Sequence, residues 1–445
     1  MTAKKYSPDG WHAPQRPQAL KHHVSLPGSK SLTNRELVLA ALATGPSTVK
    51  RPLHSRDTAL MIAGLEALGA TITEVWTDHE FGPDLLVTPL SLEDHATEVH
   101  VDCGLAGTVM RFLPPVAALR PGVVHFDGDA AARRRPMDTM VDALTQLGVV
   151  VESPTRGLPL TMRSPERLIA TTLTIDASSS SQFVSGLLLA AASMPEGLTV
   201  IHQGERVPSL PHIDMTLEVL NNRGVRVETP EHGVWSVAPG PVSALDVEIE
   251  PDLSNAAPFL AAPLITGGTI TLQQWPDKTT QVGADVPRLL EAFGAKVTFE
   301  SGGATIDGGA GWLHGSTFEG VDMDLSHGGE LAPTFVTLST LATSPSRFTG
   351  IGHLRGHETD RLRALVSNIE GLGGLAVEEP DGITVHPRPL GPGLWKSYED
   401  HRMATSGALI GLAIPGVVVD DIACTQKTLP EFEKLWAHLV ESPAP

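Results

Sequence analysis

The chain has 445 residues, 41% hydrophobic and 19% charged, which is length enough for two large domains with buried cores. Its 51 acidic and 32 basic side chains leave a net charge of −19, which excludes general affinity for nucleic acid or an anionic membrane, because phosphate repels such a surface. Two cysteines, Cys103 and Cys424, exclude a disulfide framework or thiolate metal cage, and with neither a signal-like apolar core nor an 18-residue apolar run a cytoplasmic protein is expected.

Along the chain one pattern recurs six times: an Ala/Leu-rich run, a break, then a short β-rich run. The copies begin at Leu39, Val116, Leu189, Leu260, Leu338 and Leu409, and their breaks fall at Gly45, Gly122, Gly197, Gly268, Ser346 and Gly416. The period is roughly 74 residues, longer than a typical solenoid repeat. A second pattern interleaves with it, an amphipathic helix ending in a glycine break and a strand. Leu65–Ile72, Leu144–Val151 and Leu290–Val297 are clear copies, and Leu220–Val227 and Ile369–Val377 are looser ones. The sixth copy, Glu431–Leu439, has no following strand, so the N-terminus is expected to supply it. The Leu37–Ala43 type of helix is apolar all round and should be buried, whereas the Leu-Glu-Ala-Leu type keeps a face for water. Each repeat therefore reads as buried helix, strand, amphipathic helix, strand, in two layers around one core. Six repeats make two domains of three.

Stepping about 15 residues back from each break should reach the start of each buried helix. The steps land on Lys30, Gly107, Gln182, Leu253, Leu331 and His401, all in polar or glycine-rich segments. Helix N-termini carry unpaired amides and the positive end of the helix dipole, so six of them facing one interdomain cleft would form an anion site inside an acidic protein. Competing motifs fail. Gly28-Ser-Lys30-Ser31 lacks the spacing of a phosphate loop, and Gly350-Ile-Gly352-His-Leu-Arg-Gly356 has one residue too many for a dinucleotide fingerprint. The 18 histidines contain no His-Glu-x-x-His, His22-His23 reads as a surface pair, and no Gly-x-Ser-x-Gly elbow occurs.

Seven words in order carry a family resemblance: Pro27-Gly-Ser-Lys-Ser-x-x-Asn-Arg35, Ala106-Gly-Thr-x-Met-Arg111, Arg135-Pro136, Ser180-Ser-Gln182, Glu358-Thr-Asp-Arg361, Asp400-His-Arg-Met403 and Lys427-Thr428. With them the chain resembles the 5-enolpyruvylshikimate-3-phosphate synthases over nearly its whole length. The resemblance implies an α/β fold of two domains, each of three βαβαββ units with buried helices. Residues 1–28 plus 250–445 would form one domain and 29–249 the other, with the active site in the cleft between them.

The implied reaction belongs to chorismate and aromatic amino-acid biosynthesis. It moves the enolpyruvyl group of phosphoenolpyruvate to the 5-hydroxyl of shikimate 3-phosphate, releasing phosphate without cofactor or metal. The resemblance assigns Lys30, Arg135, Arg361, Arg402 and Lys427 to phosphoenolpyruvate, with Gly107 giving close backbone approach. Ser31, Arg35, Ser180, Ser181, Gln182 and Ser209 are assigned to shikimate 3-phosphate, and Glu330 and His357 are further substrate-binding residues. Arginine suits a planar carboxylate through paired bonds, and lysine suits phosphate as a point charge. Glu330 stands where the family places its base, Lys30 and Lys427 are proton-donor candidates, and Glu358 either shares that proton traffic or only partners Arg361.

Five positions depart from the family's usual residues: Glu330 for aspartate, His357 for lysine, Leu105 for asparagine, Phe112 for proline and His212 for tyrosine. The resemblance also implies inhibition by glyphosate through the Gly107 segment and a monomer whose partners are its two small substrates. Two readings compete. A sister transferase acting on UDP-N-acetylglucosamine would use a loop cysteine, but Cys103 reads as a buried strand end. A non-catalytic anion-binding scaffold would have lost Lys30, Arg135, Glu330, Arg402 or Lys427, and all are present. Gathering Lys30, Arg35, Arg135, Arg361, Arg402 and Lys427 without a ligand is electrostatically unfavourable, so the sequence predicts an open empty cleft that shikimate 3-phosphate closes.

Overall fold

The structure is a computed structural model describing residues 10–93, 96–300 and 302–442. Each Ala/Leu-rich run is a helix: Lys30–Ala41, Gly107–Ala117, Gln182–Ala191, Leu253–Thr266, Ala332–Ser339 and His401–Ala413. Five of the six begin on the residue expected, and Ala332 lies one beyond Leu331. Such helices have no polar face to give to water, and Leu37 to Ala41, Leu187 to Ala191 and Leu260 to Ala262 are fully buried.

The other helices, Arg56–Ala67, Asp138–Gln146, Pro211–Asn222, Val286–Glu291, Arg361–Gly371 and Phe432–Glu441, bury one stripe each. Gly69, at φ 104°, supplies the left-handed residue that ends the first of them.

The chain divides into two compact units, one of Pro27–Glu250 and one made of the chain up to Leu26 together with the chain from Pro251 onward. Pro27, Gly28 and Glu250 thus belong to the middle unit, a shift of one or two residues from the expected boundaries. The cause is local. Ser29 N donates to Glu250 O (2.8 Å), and a Cβ on Gly28 would lie 2.3 Å from Arg51 O and 2.8 Å from Ile249 Cγ2.

In the middle unit, Ser47–Lys50 pairs in parallel with Val247–Glu248 and antiparallel with Asp84–Thr88, which pairs with Thr71–Val75. The same plan repeats around Gly122–Asp127 and Leu198–His202. In the discontinuous unit it repeats around Gly268–Gln273, where Leu20–Val24 is the parallel strand, and around Ser346–Thr349. Among the described residues the sixth sheet has three strands. There Trp11–His12 lies antiparallel to Val417–Val419, so the N-terminus does complete the last repeat.

Five of the six repeats also hold two strands beyond the sequence pattern, one before the buried helix and a second in the hairpin, while among the described residues the last repeat adds only Gly393–Trp395 before its helix. The shortest and most polar of them, such as Thr172–Ile175 and Asp322–Asp324, do not register beside the Ala/Leu runs.

Within each unit the three buried helices pack on one another. Gly186 shows how closely, since a Cβ there would sit 2.1 Å from the carbonyl oxygen of Arg111 on the neighbouring helix. Among the described residues no helix is long and apolar enough to cross a membrane.

Candidate active site

In the middle unit the first turns of the three buried helices are tied by side chains. Asn34 Nδ2 donates to Thr108 Oγ1 (2.7 Å), and Arg111 Nη1 donates to Gln182 Oε1 (3.3 Å). Ser29 caps Lys30–Ala41 through its side chain. Ala106 offers no such cap to Gly107–Ala117, so the first-turn amides there are not met by a side chain at the cap position. Gly107 is crowded by donors and an acceptor, because a Cβ there would lie 3.0 Å from Arg111 Nη1, Arg135 Nη2 and Gln182 Oε1. Arg135 Nη1 donates to Leu105 O (3.2 Å), while its buried Nε has no partner among the described residues. Lys30 Nζ lies 3.4 Å from the buried carboxylate of Asp57. Ser180 Oγ accepts from Gln182 N (3.2 Å), and Ser181 is the buried residue that opens the helix.

Arg35 is almost wholly buried. It donates to Thr216 Oγ1, Ser31 O, Ser185 Oγ and His212 O, and its guanidinium lies 5.2 Å from the centroid of the Phe112 ring. Its bonds thereby fix Ser31 and the start of Pro211–Asn222, next to Ser209, which holds a left-handed φ of 52°.

In the discontinuous unit the cations and carboxylates form one connected set. Arg361 is buried and donates through Nε to Asp400 Oδ2 (2.7 Å) and through Nη2 to Asp400 Oδ1 (3.2 Å) and Glu358 Oε2 (3.1 Å). Burial alone would lower its pKa, but the Asp400 and Glu358 carboxylates outweigh that and push it up, so it is charged at any working pH. Glu358 Oε1 accepts in turn from Lys427 Nζ in a short contact. Asp400 caps its own helix by accepting from Arg402 N, and the Arg402 side chain reaches Ser254 O (3.1 Å) and Glu330 Oε1 (3.3 Å). Arg402 therefore ties together the beginnings of this unit's three buried helices. His357 is nearby, with Nδ1 3.9 Å from Glu358 Oε2.

The comparisons bear on this geometry. A family model described as EPSP synthase (3-phosphoshikimate 1-carboxyvinyltransferase) matches residues 14–436. The chain belongs to the EPSP synthase family. A curated 3-phosphoshikimate 1-carboxyvinyltransferase of Kocuria rhizophila is 52% identical over 438 residues, covering 98% of this chain and 97% of that protein. In fold, the chain is similar to an EPSP synthase from Acinetobacter baumannii (TM-score 0.77, 21% identical, 97% of each chain covered). It is also similar to the enolpyruvyl transferase NikO from Streptomyces tendae (TM-score 0.73, 19% identical, 96% of each).

Several departures from the usual EPSP synthase residues find a place in the structure. Leu105 meets Arg135 through its backbone carbonyl, a bond that no side chain is needed for. The Phe112 ring serves as the platform for Arg35. His212 also meets Arg35 through its carbonyl. Cys103 is fully buried, and burial together with Asp102 and Asp127 pushes its thiol pKa up, which makes it unsuited to acid catalysis.

Sequence reasoning gave no role to Asp57, Arg111 or Asp400, although Arg111 and Asp400 stand inside the quoted words. It also missed His353. Glycine at 329 makes room for that ring, since a Cβ there would lie 2.7 Å from its Cε1 and Nε2. The ring packs edge-on to His357 at 5.7 Å, and its buried Nε2 has no partner among the described residues. Burial first, and the Arg361 charge second, push its pKa down from 6.5 to about 4, against the weaker pull of Asp381 and Glu330.

The unfolded chain binds this proton near pH 6.5, whereas the native protein does so only near 4. Stability from His353 is therefore full above about pH 7 and lost as pH falls toward 4, by about 3 kcal/mol at most. Urea unfolding of wild type and His353→Asn at pH 7.5 and pH 5 is the check. The wild type should lose more stability on acidification than the variant, and equal losses would remove His353 from the account.

Proposed function

We infer that this chain is a 3-phosphoshikimate 1-carboxyvinyltransferase. It joins the 5-hydroxyl oxygen of shikimate 3-phosphate to C2 of phosphoenolpyruvate, then expels phosphate. The observation that most supports this is that Arg361, Glu358 and Lys427 form one connected set with Asp400, and Arg402 pairs with Glu330 beside it, since all of these but Asp400 are residues that the family resemblance assigns to chemistry.

In the addition step the hydroxyl proton goes to the Glu330 carboxylate as the C–O bond forms. The methylene carbon takes a proton from a lysine ammonium, for which Lys30 and Lys427 are the candidates. In the elimination step the bond from C2 to the phosphate oxygen breaks, the departing phosphate takes up the proton held by Glu330, and the methyl carbon returns its proton to the lysine, which restores the double bond. Arg135, Arg361 and Arg402 meet the carboxylate and phosphate of phosphoenolpyruvate. Gly107 leaves room for the phosphate against first-turn amides. Ser31, Arg35, Ser180, Ser181, Gln182, Ser209 and His357 serve shikimate 3-phosphate. Glu358 partners Arg361 and also accepts from the ammonium of Lys427, a contact that supports a share in the proton traffic. The proposed enzyme works without a cofactor, as a cytoplasmic monomer whose partners are its two small substrates.

Mixing shikimate 3-phosphate and phosphoenolpyruvate with the protein should release phosphate, and Glu330→Gln should lower turnover about 100-fold or more, the scale of a general base. Folded protein that releases none would overturn the reading, and near-normal turnover in the variant would remove Glu330 from the mechanism.

Glyphosate should compete with phosphoenolpyruvate. Gly107→Ala adds a methyl 3.0 Å from Arg111, Arg135 and Gln182, so the inhibition constant should rise roughly tenfold or more. Steady-state kinetics on both proteins test this, and an unchanged constant would contradict the placement of Gly107.

A further inference from the structure

The sheet around Gly122–Asp127 carries a cluster on its solvent side that plays no part in the reaction above. Along Ala96–Asp102, Val101 points into the core while Glu98 and His100 are exposed, as strand alternation requires. The parallel register sets His100 beside His125, and the antiparallel register on the other side sets His125 beside Thr161. Backbone pairing, rather than chance rotamers, therefore aligns His100, His125 and Thr161 in a row, with Glu98 two residues before His100 on the same face.

The side chains use that alignment. His125 Nε2 lies 2.8 Å from Glu98 Oε1, and its Nδ1 lies 2.9 Å from Thr161 Oγ1. The two imidazoles stack at 4.5 Å, and one ligand atom from each of Glu98, His100 and His125 lies within 4.8 Å of the others.

We propose that Glu98, His100 and His125 form a binding site for a divalent transition-metal ion of the zinc class. Two imidazoles and one carboxylate are the donors such an ion prefers, whereas magnesium and calcium favour all-oxygen sets. With bonds of about 2.0–2.2 Å the ligand atoms must come to roughly 3.3 Å of one another, a change that side-chain torsions supply while the strands stay fixed. In the neutral cluster the Nε2 proton joins His125 to Glu98, and the Thr161 hydroxyl donates to Nδ1. The ion takes the place of that proton, which moves to Nδ1, and the hydroxyl turns to accept it. Thr161 then acts as the outer partner that fixes the tautomer of a ligating histidine.

The ion would clamp two parallel strands whose C-terminal ends lead into the segments bearing Gly107 and Arg135. The site is invisible to a search for local motifs because its third ligand arrives from the next strand, 25 residues along.

The test is calorimetric titration of the full, chelator-treated chain with zinc alone. Wild type should bind one ion in a phase that disappears in His100→Ala/His125→Ala and weakens roughly tenfold or more in Thr161→Val, which removes no ligand. Magnesium should give no such phase. None of these residues touches the reaction, so zinc-free transferase turnover should stay at the wild-type level in both variants and reports that they are folded. A zinc isotherm unchanged in the double variant, or a phase produced equally by magnesium, overturns the proposal.

Discussion

A guanidinium removed from water needs acceptors that replace its hydration, and for Arg361 the carboxylates of Asp400 and Glu358 fill that role. Much of what the discontinuous unit offers to chemistry hangs from that arrangement. Asp400 uses one carboxylate for two tasks, since it holds Arg361 and caps the helix that begins at His401. The cap sets the direction of Arg402, which reaches Glu330 and Ser254. On the other side, Glu358 passes the same constraint to Lys427. Glu330, Lys427 and the two arginines are thus placed by one electrostatic requirement, and such pre-placed long side chains lose little further freedom on binding a ligand.

The middle unit meets its assigned cations differently. Arg35 and Arg135 donate to hydroxyls and backbone carbonyls, and Lys30 lies against the Asp57 carboxylate. The uncapped start of Gly107–Ala117 adds a further positive potential. A ligand with a phosphate and a carboxylate is the natural complement of such a surface. Within each unit the cations are partly offset by carboxylates, Asp57 in the middle unit and Glu330, Glu358 and Asp400 in the discontinuous one.

The repeat was legible because it rests on two strong local signals. Helices without a polar face must be buried, and a break follows each of them at a nearly constant distance from its start, so the starts at Lys30, Gly107, Gln182, Leu253 and His401 follow by counting. Strands of two to four residues give no comparable signal. Nothing in Val247–Glu248 announces that it pairs with Ser47–Lys50 two hundred residues earlier. The candidate site was legible residue by residue through the family words, but its pairings were not. Lys30 and Asp57 are 27 positions apart, and Arg361 and Asp400 are 39 apart, distances over which only the fold decides who meets whom. His353 was missed for the same reason, since its role depends on a glycine at 329 leaving room for the ring.

The claim that the buried carboxylates place the reacting groups is tested most directly by the kinetics of Asp400→Asn. The amide keeps the size and some hydrogen-bonding capacity of the side chain but removes the charge that offsets Arg361. The account predicts that kcat/KM for phosphoenolpyruvate falls at least about tenfold, as expected when one partner of a buried ion pair is removed. Calorimetric affinity for shikimate 3-phosphate, which is assigned chiefly to the middle unit, should change far less. A folded variant with wild-type kcat/KM for phosphoenolpyruvate would contradict the account.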